Sequence, residues 1–213
     1  MTENKKPLSD RAKEVGKRIG SLRDFLEFLE ENGQCITWSD DVLPEPDIRN
    51  IAVAAGRDSM NGPAVIFNNM AGYPGKKLVI GVHGSFTNLA LLLGHPKGTT
   101  IKELFYDIIF RWGDDKPLLD FIEPDEAPVN ENRITENFNL YDLLPLYRIN
   151  EYDGGFYIGK ANVVSRDPTD PDNFGKQNVG IYRIQVQAPG EFTLLSIPAH
   201  DMGRHIMAAE KNN

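Results

Sequence analysis

The sequence predicts an α/β domain in the first half of the chain and a mainly β domain in the second. In the first half, short apolar runs alternate with segments whose apolar residues recur at helical spacing, a pattern typical of an α/β layer. In the second half, apolar and polar residues alternate as in half-buried strands. The stretch between is rich in proline and carboxylates and lacks periodicity. We therefore predict an α/β domain over residues 1–113, a connector over 114–137 and a β-rich domain over 138–213.

Four helices in the first half follow from capping residues and apolar spacing. Ser21 precedes a carboxylate three residues later, as in a capping box. A proline pair ending at Pro46 begins the second helix, because the fixed φ of proline suits a first turn. Ser85 caps the third helix, and either Thr99 or Thr100 caps the fourth. The predicted helices cover residues 21–33, 46–56, 85–93 and 99–112.

Six short segments are predicted strands, and the chain ends in a predicted helix. The first three are apolar runs bounded by turn formers, and the last three show alternation. Three strands cannot close a barrel, because even small barrels need about five, and open edges favour aggregation. We therefore expect an unfinished second sheet that exposes an edge or an apolar face. The strands lie at 36–38, 64–67, 78–82, 157–164, 179–186 and 192–197, and the helix lies at 201–211.

The composition is that of an ordinary globular domain. Hydrophobic residues make up 40% of the chain and charged residues 25%, close to the average for soluble proteins. The net charge of -8 opposes binding to nucleic acid, which requires clustered Lys and Arg. The interleaved charges of residues 5–24 are typical of a solvated helix face. No apolar run reaches the roughly 18 residues that a membrane span needs. We therefore expect a cytoplasmic protein without a nucleic-acid or membrane partner.

Several common catalytic motifs are absent from the sequence. It contains no G-x-G-x-x-G, no P-loop, no G-x-S-x-G and no H-E-x-x-H. Dinucleotide, nucleotide and generic hydrolase chemistry therefore lack their usual support. The single cysteine, Cys35, excludes an intramolecular disulfide. Its position between a helix and a strand predicts a small buried side chain.

Of the four histidines, His200 has the most suggestive position. It ends a strand and begins a helix, where functional groups often lie and where helix N–H groups attract phosphate. His83, His95 and His205 are more simply interpreted as structural, because a site needs a pocket and a partner. Position alone leaves a structural role open for His200 as well.

Three motifs in the second half carry a family resemblance. They are Asp-Gly-Gly-Phe-Tyr at 153–157, Val-Val-Ser-Arg-Asp-Pro at 163–168, and the run 170–183, which ends in Asn-Val-Gly-Ile-Tyr-Arg. Weaker likeness extends upstream to Leu-Arg-Asp-Phe-Leu at 22–26 and includes Asp-Leu-Leu-Pro at 142–145. Together these segments resemble the bacterial phenolic acid decarboxylases of the UbiD family, and the resemblance covers almost the whole chain from about residue 20.

This resemblance implies a non-oxidative, often reversible decarboxylase of hydroxylated aromatic acids such as 4-hydroxybenzoate or vanillate. It implies prenylated FMN as the cofactor, with a divalent metal ion (Mn or Mg) and a potassium ion at the phosphate, and a flavin prenyltransferase that supplies it. The cofactor domain of the family resembles the split β-barrel of flavin reductases. We therefore expect residues 138–213 to form part of such a barrel.

The resemblance also assigns site residues. Asn178 and His200 match the metal ligands of the family, and Arg183 matches the arginine that pairs with its catalytic glutamate. An amide oxygen and an imidazole nitrogen can share a divalent cation, which would place the two side-chain tips within about 6 Å. A guanidinium can hold a carboxylate bidentately, although an exposed strand arginine is the simpler interpretation of Arg183. The implied cofactor-binding residues are Asn178, Val179, Gly180, Ile181, Tyr182, Arg183, Ala199 and His200.

This assignment contains a geometric conflict. Strict alternation places Asn178 and Arg183 on opposite faces of a strand. Two explanations would reconcile them on one face. Either Gly180 marks a β-bulge, or Asn178 lies before regular pairing begins.

The chain also departs from the family pattern. Ala199 stands where some relatives carry Gln, which alters a local contact. The third metal ligand and the two catalytic residues of the family, all glutamates, fall beyond the matching point at which these 213 residues stop. We therefore expect a truncated chain, inactive by itself, that forms a homo-oligomer or joins a complementing C-terminal chain. The alternative is a truncated, non-catalytic module that binds flavin or a partner.

Overall fold

The computed structural model describes residues 7–111 and 122–212 of the chain. Its contacts divide the chain into two compact units, Met1–Ile134 (unit 1) and Thr135–Asn213 (unit 2). Trp112, at the end of the fourth predicted helix, and part of the predicted connector lie outside the described residues. The proposed domain limits therefore stay predictions.

Three helices of unit 1 begin at predicted capping residues. The hydroxyl of Ser21 accepts a hydrogen bond from the N–H group three residues later, and Ser85 does the same in its helix. Thr100, not Thr99, caps the last helix, because its hydroxyl accepts from the Glu103 N–H while the Glu103 carboxylate accepts from the Thr100 N–H. In the described part of unit 1 the helices are α1 (Asp10–Arg18), α2 (Leu22–Glu31), α3 (Asp47–Gly56), α4 (Phe86–Leu92) and α5 (Ile101–Arg111), with short 3₁₀ turns at Pro124–Glu126 and Pro128–Asn130.

A three-stranded mixed sheet lies beside these helices. Its strands are β1 (Cys35–Trp38), β2 (Ala64–Phe67) and β3 (Leu78–Ile80). The central strand β2 runs parallel to β1 and antiparallel to β3. The third strand ends before the predicted limit of residue 82, because Gly81 adopts a left-handed φ of 68°, which interrupts extended backbone. The segments were predicted, but their order was not.

The core of unit 1 forms where α2 and α4 pack on this sheet. Leu29 and Leu91 are fully buried there, and burying one such side chain contributes about 1.5–3 kcal/mol. Cys35 belongs to the same cluster, as predicted, and its burial raises the pKa of its thiol above the ordinary value, with a smaller contribution from Glu30. No helix in the described residues is both long and apolar enough to cross a membrane.

Unit 2 contains a three-stranded antiparallel sheet in the order β4-β5-β6. The last strand is shorter than the predicted 192–197, because the chain leaves the sheet after Leu194 and turns into the final helix. With the first sheet this gives a mixed α/β fold with two small sheets, while the split-barrel form stays a prediction. The elements are α6 (Leu140–Leu143), β4 (Phe156–Ser165), β5 (Asn178–Ala188), β6 (Glu191–Leu194) and α7 (Asp201–Asn212), with a 3₁₀ turn at Phe174–Lys176.

The central strand β5 has two unlike faces. Tyr182, Ile184 and Val186 are buried on one face, whereas Val179 and Ile181 on the other are each 62% exposed. An exposed apolar face was expected from the sequence. Its covering by another chain stays a prediction.

Candidate functional site

Asn178 and Arg183 lie on opposite faces of β5. Asn178 is paired with Ser165, and the register continues without a shift to Tyr182 opposite Ala161. Both proposed ways of reconciling the two site residues are therefore wrong. Gly180 lies within this regular stretch and makes no bulge, and Asn178 is already part of the ladder. The one register shift between β4 and β5 falls between Ile158 and Ala161 on the neighbouring strand.

Two hydroxyl groups hold the amide of Asn178 on the covered face of β5, which is the face that buries Tyr182 and Ile184. Its Nδ2 donates to the Tyr182 hydroxyl at 3.1 Å and to the Ser165 hydroxyl at 3.5 Å. The Tyr182 bond is the stronger of the two, because 3.1 Å lies within the usual donor–acceptor range and 3.5 Å lies beyond it. With respect to the described residues, Oδ1 accepts no hydrogen bond. The amide oxygen is thus available to a hard cation.

Gly180 makes the Tyr182 contact possible. A Cβ at Gly180 would lie 2.6 Å from Cε2 of Tyr182, so the tyrosine ring lies across the glycine and extends back along the strand. The sequence attributed Gly180 to a β-bulge, which is not its role in this strand. Its missing side chain accommodates a ring, and the backbone at this point is regular.

His200 lies at the start of α7 with an exposed side chain. Its backbone N–H donates to the carbonyl of Ile197 at 2.9 Å, and its carbonyl accepts from the N–H of Arg204 at 3.0 Å. Gly203 fixes this turn, because a Cβ there would lie 2.3 Å from the Ile197 carbonyl oxygen. Ala199 beside it is also exposed. No hydrogen bond between described residues joins His200 to Asn178, and their shared cation stays a prediction.

His205, which the sequence indicated to be structural, joins the Asn178 cluster. Its Nδ1 lies 3.0 Å from the hydroxyl of Ser165, the residue paired with Asn178 across the two strands. Sequence reasoning missed this contact because it spans 40 residues. The strand register would have identified Ser165, because directly paired residues project to the same side of a sheet.

Arg183 occupies the exposed face. Its guanidinium carbon lies 5.8 Å from the centre of the Tyr157 ring, in cation–π geometry. It makes no ion pair with any described carboxylate. The guanidinium can therefore donate hydrogen bonds to a carboxylate of a ligand or of another segment.

Charged groups also lie in the loop between β4 and β5. Hydrogen bonds from the Thr169 hydroxyl and N–H hold the pKa of Asp167 below its ordinary value. The Asn173 side chain, followed by Lys176, lowers the pKa of Asp170. The Lys176 ammonium lies 3.1 Å from Asp170 and 3.7 Å from Asp167. This local network is partly exposed, with the Asp167 side chain 22% accessible to solvent, and its contacts lie within the loop.

The remaining histidines belong to unit 1. The ring of His83 packs 5.7 Å from that of Phe25. Nε2 of His95 lies 2.9 Å from the carboxylate of Asp107, which also binds Arg111 at 2.6 Å. His95 and Asp107 border an open cavity of about 440 Å³ whose lining contains no predicted site residue.

Known proteins resemble both halves of the chain. Residues 26–108 match the family model described as the 3-octaprenyl-4-hydroxybenzoate carboxy-lyase N-terminal domain. Residues 121–213 match the model of the Rift-related domain of the same carboxy-lyase, UbiD.

Individual relatives point to the same group of proteins. Phenolic acid decarboxylase of Bacillus subtilis is 46% identical over 190 residues, which are 89% of this chain and 40% of the relative. The closed form of vanillic acid decarboxylase (ShVdcCD) of Sedimentibacter hydroxybenzoicus matches with a TM-score of 0.85 and 44% identity, over 92% of this chain and 41% of the other.

A more distant relative was solved together with a cofactor. An evolved dimeric form of the UbiD-class enzyme HmfF from Pelotomaculum thermopropionicum, in complex with prFMN, matches with a TM-score of 0.73 and 28% identity, over 91% of this chain and 42% of the other. The chain spans about 40% of the length of the curated relatives it matches.

Proposed function

This chain belongs to the UbiD family, and from that premise we propose that it provides the cofactor-anchoring part of a non-oxidative aromatic acid decarboxylase. The proposed substrates are hydroxylated aromatic acids of the 4-hydroxybenzoate or vanillate type. The similarity to phenolic acid and vanillic acid decarboxylases supports this substrate class.

The observation that carries the proposal is the held amide of Asn178. Its nitrogen is engaged by Tyr182 and Ser165, so its oxygen can bind a cation. Among the described residues no three His, Cys, Asp or Glu side chains gather as a metal site. A cation at Asn178 would therefore need a ligand such as a cofactor phosphate, which fits the proposal.

We propose that the cofactor is prenylated FMN. A divalent ion, Mn²⁺ or Mg²⁺, would hold its phosphate, with a potassium ion beside it. Asn178 and His200 would bind the divalent ion, and the segment from Val179 to Arg183, with Ala199, would line the cofactor. When bound, the prenylated ring supplies an electron sink for the pair released as CO2 leaves. The protein contributes orientation and charge.

Arg183 would recognise a carboxylate on the exposed face. Its guanidinium rests against the Tyr157 ring, which restricts the orientations of the planar fork and so reduces the entropy lost on binding. The partner is either the substrate carboxylate or a glutamate that delivers the proton. We propose that this proton donor is supplied from outside the 213 residues of this chain.

A comparison of two proteins tests the proposal. Purified chain of residues 1–213 and a version extended to the length of the phenolic acid decarboxylases would receive prenylated FMN, Mn²⁺, K⁺ and vanillate. We expect CO2 from the extended protein alone, because absence of a general acid typically costs about 10²–10⁴ in rate. Flavin binding without CO2 from either protein would favour the non-catalytic module, and CO2 from the short chain above a heat-treated control would refute the assignment of the acid.

In the extended protein, Asn178→Ala and Arg183→Ala separate the two roles. We expect Asn178→Ala to release the cofactor, as measured by flavin retention on gel filtration. We expect Arg183→Ala to retain flavin and lose turnover by about 10²-fold or more, because a misplaced reactant costs that much. Loss of flavin in both variants would contradict the division between the faces.

A further inference from the structure

We propose that His205, acting through Ser165, is a positioning residue that decides which end of the Asn178 amide faces the cation, and that Tyr182 fixes the amide in that position. The inference rests on the proposed function, because the cation site is part of it. It concerns three side chains that the family resemblance did not assign to the metal.

The argument begins with an ambiguity in the amide. The Tyr182 and Ser165 hydroxyls can each donate or accept a hydrogen bond. Alone, they would hold Asn178 equally well with its nitrogen or its oxygen turned toward them. Only the orientation with Nδ2 toward the hydroxyls leaves Oδ1 for a cation, and the structure assigns the amide in that orientation.

His205 removes the ambiguity. Its Nδ1 lies 3.0 Å from the Ser165 hydroxyl oxygen. When Nδ1 carries no proton, the hydroxyl must donate to it, and its oxygen then accepts from Nδ2 of Asn178 at 3.5 Å. When Nδ1 carries the proton, Ser165 is free to donate to Asn178, which would turn the amide oxygen away from the cation. The tautomer with the proton on Nε2 is therefore the one that builds the site.

Tyr182 holds the amide in place. The ring is buried, with 8% of its surface exposed, and it lies against Gly180 so that its hydroxyl reaches Nδ2 at 3.1 Å. A buried ring has few alternative rotamers, which makes the contact a fixed point. The outer hydrogen bonds of metal ligands commonly change metal affinity by about 10–100-fold.

The test uses the full chain and Mn²⁺ with inorganic phosphate as the probe, because a cation at Asn178 needs a phosphate ligand besides the protein side chains. With ¹⁵N-labelled His and Asn, NMR reports the tautomer of His205 and the two amide protons of Asn178. Added Mn²⁺ broadens those protons when it binds nearby, which gives an affinity without any turnover. We expect Nδ1 of His205 to be unprotonated in the wild-type chain, and Asn178→Ala to abolish the binding.

The variants are chosen as matched pairs. Ser165→Ala and Tyr182→Phe each remove one hydroxyl and should weaken Mn²⁺ binding by about 10–100-fold. Ser165→Thr keeps a hydroxyl and should retain the affinity. His205→Leu should weaken binding, and His205→Asn should restore most of it, because its side chain can accept from Ser165. The control is Tyr152→Phe, which removes the hydroxyl of a tyrosine that is 88% exposed and should change nothing.

The outcomes distinguish the inference from the function on which it rests. A protonated Nδ1 in wild-type His205 would overturn the inference even if Mn²⁺ binds. Equal Mn²⁺ affinity in the wild type, Ser165→Ala and His205→Leu would do the same. Mn²⁺ binding that Asn178→Ala leaves unchanged would instead overturn the proposed metal site, and the inferred purpose of the His205 contact with it. The tautomer of His205 is measured in the wild-type chain, so the inference can be tested even if a variant fails to fold.

Discussion

The two faces of β5 differ in how their functional side chains are held. On the covered face, hydrogen bonds fix Asn178 to side chains on two other positions of the sheet, and Ser165 joins that network to α7. On the exposed face, Arg183 has a stacking contact with Tyr157 but no carboxylate among the described residues. In the proposed site, the first face would hold a small cation and the second would bind a carboxylate.

The two proposed roles, cation binding and carboxylate binding, can be separated in this way because of strand geometry. Because neighbouring side chains alternate, one short strand can serve a rigid anchor and an accessible recognition group at the same time. Each face should therefore respond differently to substitution.

The largest difference should appear when isoleucines on the two faces are truncated. Ile184→Ala creates a cavity under the covered face, where this side chain is 8% exposed, and should cost about 2–5 kcal/mol. Ile181→Ala on the face that is 62% exposed should change stability by no more than about 0.5 kcal/mol. Urea unfolding followed by circular dichroism at low protein concentration measures both. Equal losses would show that the second face is also packed in solution.

The next effect concerns the turn that carries His200. Gly203→Ala places a Cβ 2.3 Å from the Ile197 carbonyl oxygen and 2.9 Å from Cα of Pro198. Because both neighbours are backbone atoms, we expect a loss of about 1–3 kcal/mol. Gly16→Ala in α1 is the matched control, since nothing lies within 4 Å, and it should stabilise by about 0.5–1 kcal/mol. Opposite signs in urea unfolding are expected, and stabilisation by both would contradict the close approach.

Gly180→Ala should have a smaller effect, because the nearby atom belongs to a side chain. Its Cβ would lie 2.6 Å from the Tyr182 ring, and displacement of the ring should cost about 1 kcal/mol or more. Gly159→Ala in the neighbouring strand has open space and serves as the control. A double-mutant cycle with Tyr182→Ala should give a coupling energy of about 0.5–3 kcal/mol. Simple additivity would show that the ring does not meet Gly180.

The exposed apolar face should also promote association. Val164 and Val179, which are paired across the strands, are 59% and 62% exposed, and Ile181 extends the same face. Such surfaces often mark contacts with another chain. We expect light scattering to detect a larger species at high concentration, and the double variant Val179→Lys, Ile181→Lys to shift it toward monomer. A stable wild-type monomer at the same concentration would refute this expectation.

The smallest effect should come from the loop between the strands. The lowered pKa of Asp167 means that its ionised form is favoured in the folded chain. The ionised carboxylate therefore contributes to folding stability above its ordinary pKa of 3.8, and this contribution is lost as the pH falls through the lower pKa of the folded chain. In an NMR titration, Thr169→Val should raise the pKa of Asp167 by removing the leading donor. Thr193→Val in β6 should leave it unchanged. A pKa equally low in both variants would exclude Thr169 as the main cause.

The sequence predicted those features that depend on neighbours along the chain. Ser21 and Ser85 were recognised as caps, and Thr100 as one of two candidates with Thr99, because the donor that each cap satisfies lies three residues away. The opposed faces of Asn178 and Arg183 also followed directly from alternation. The β-bulge predicted at Gly180 was wrong, because this glycine accommodates the Tyr182 ring and its backbone is regular.

Long-range contacts could not be predicted in the same way. The parallel pairing of β1 with β2 depends on how the intervening helix packs, which periodicity does not specify. The contact between Ser165 and His205 requires both the strand register and the direction in which α7 leaves the sheet. Residue type alone therefore could not distinguish His205, which joins the Asn178 cluster, from His83 or His95.

The burial of Cys35 has a practical consequence. Because it is the only thiol in the chain and its pKa is raised, it should react slowly with alkylating reagents while the first sheet is closed. The rate of labelling would then report the opening of unit 1 by itself, with no probe added to unit 2. A single mass measurement could thus follow the local stability of one half of the molecule while ligands are titrated into the other.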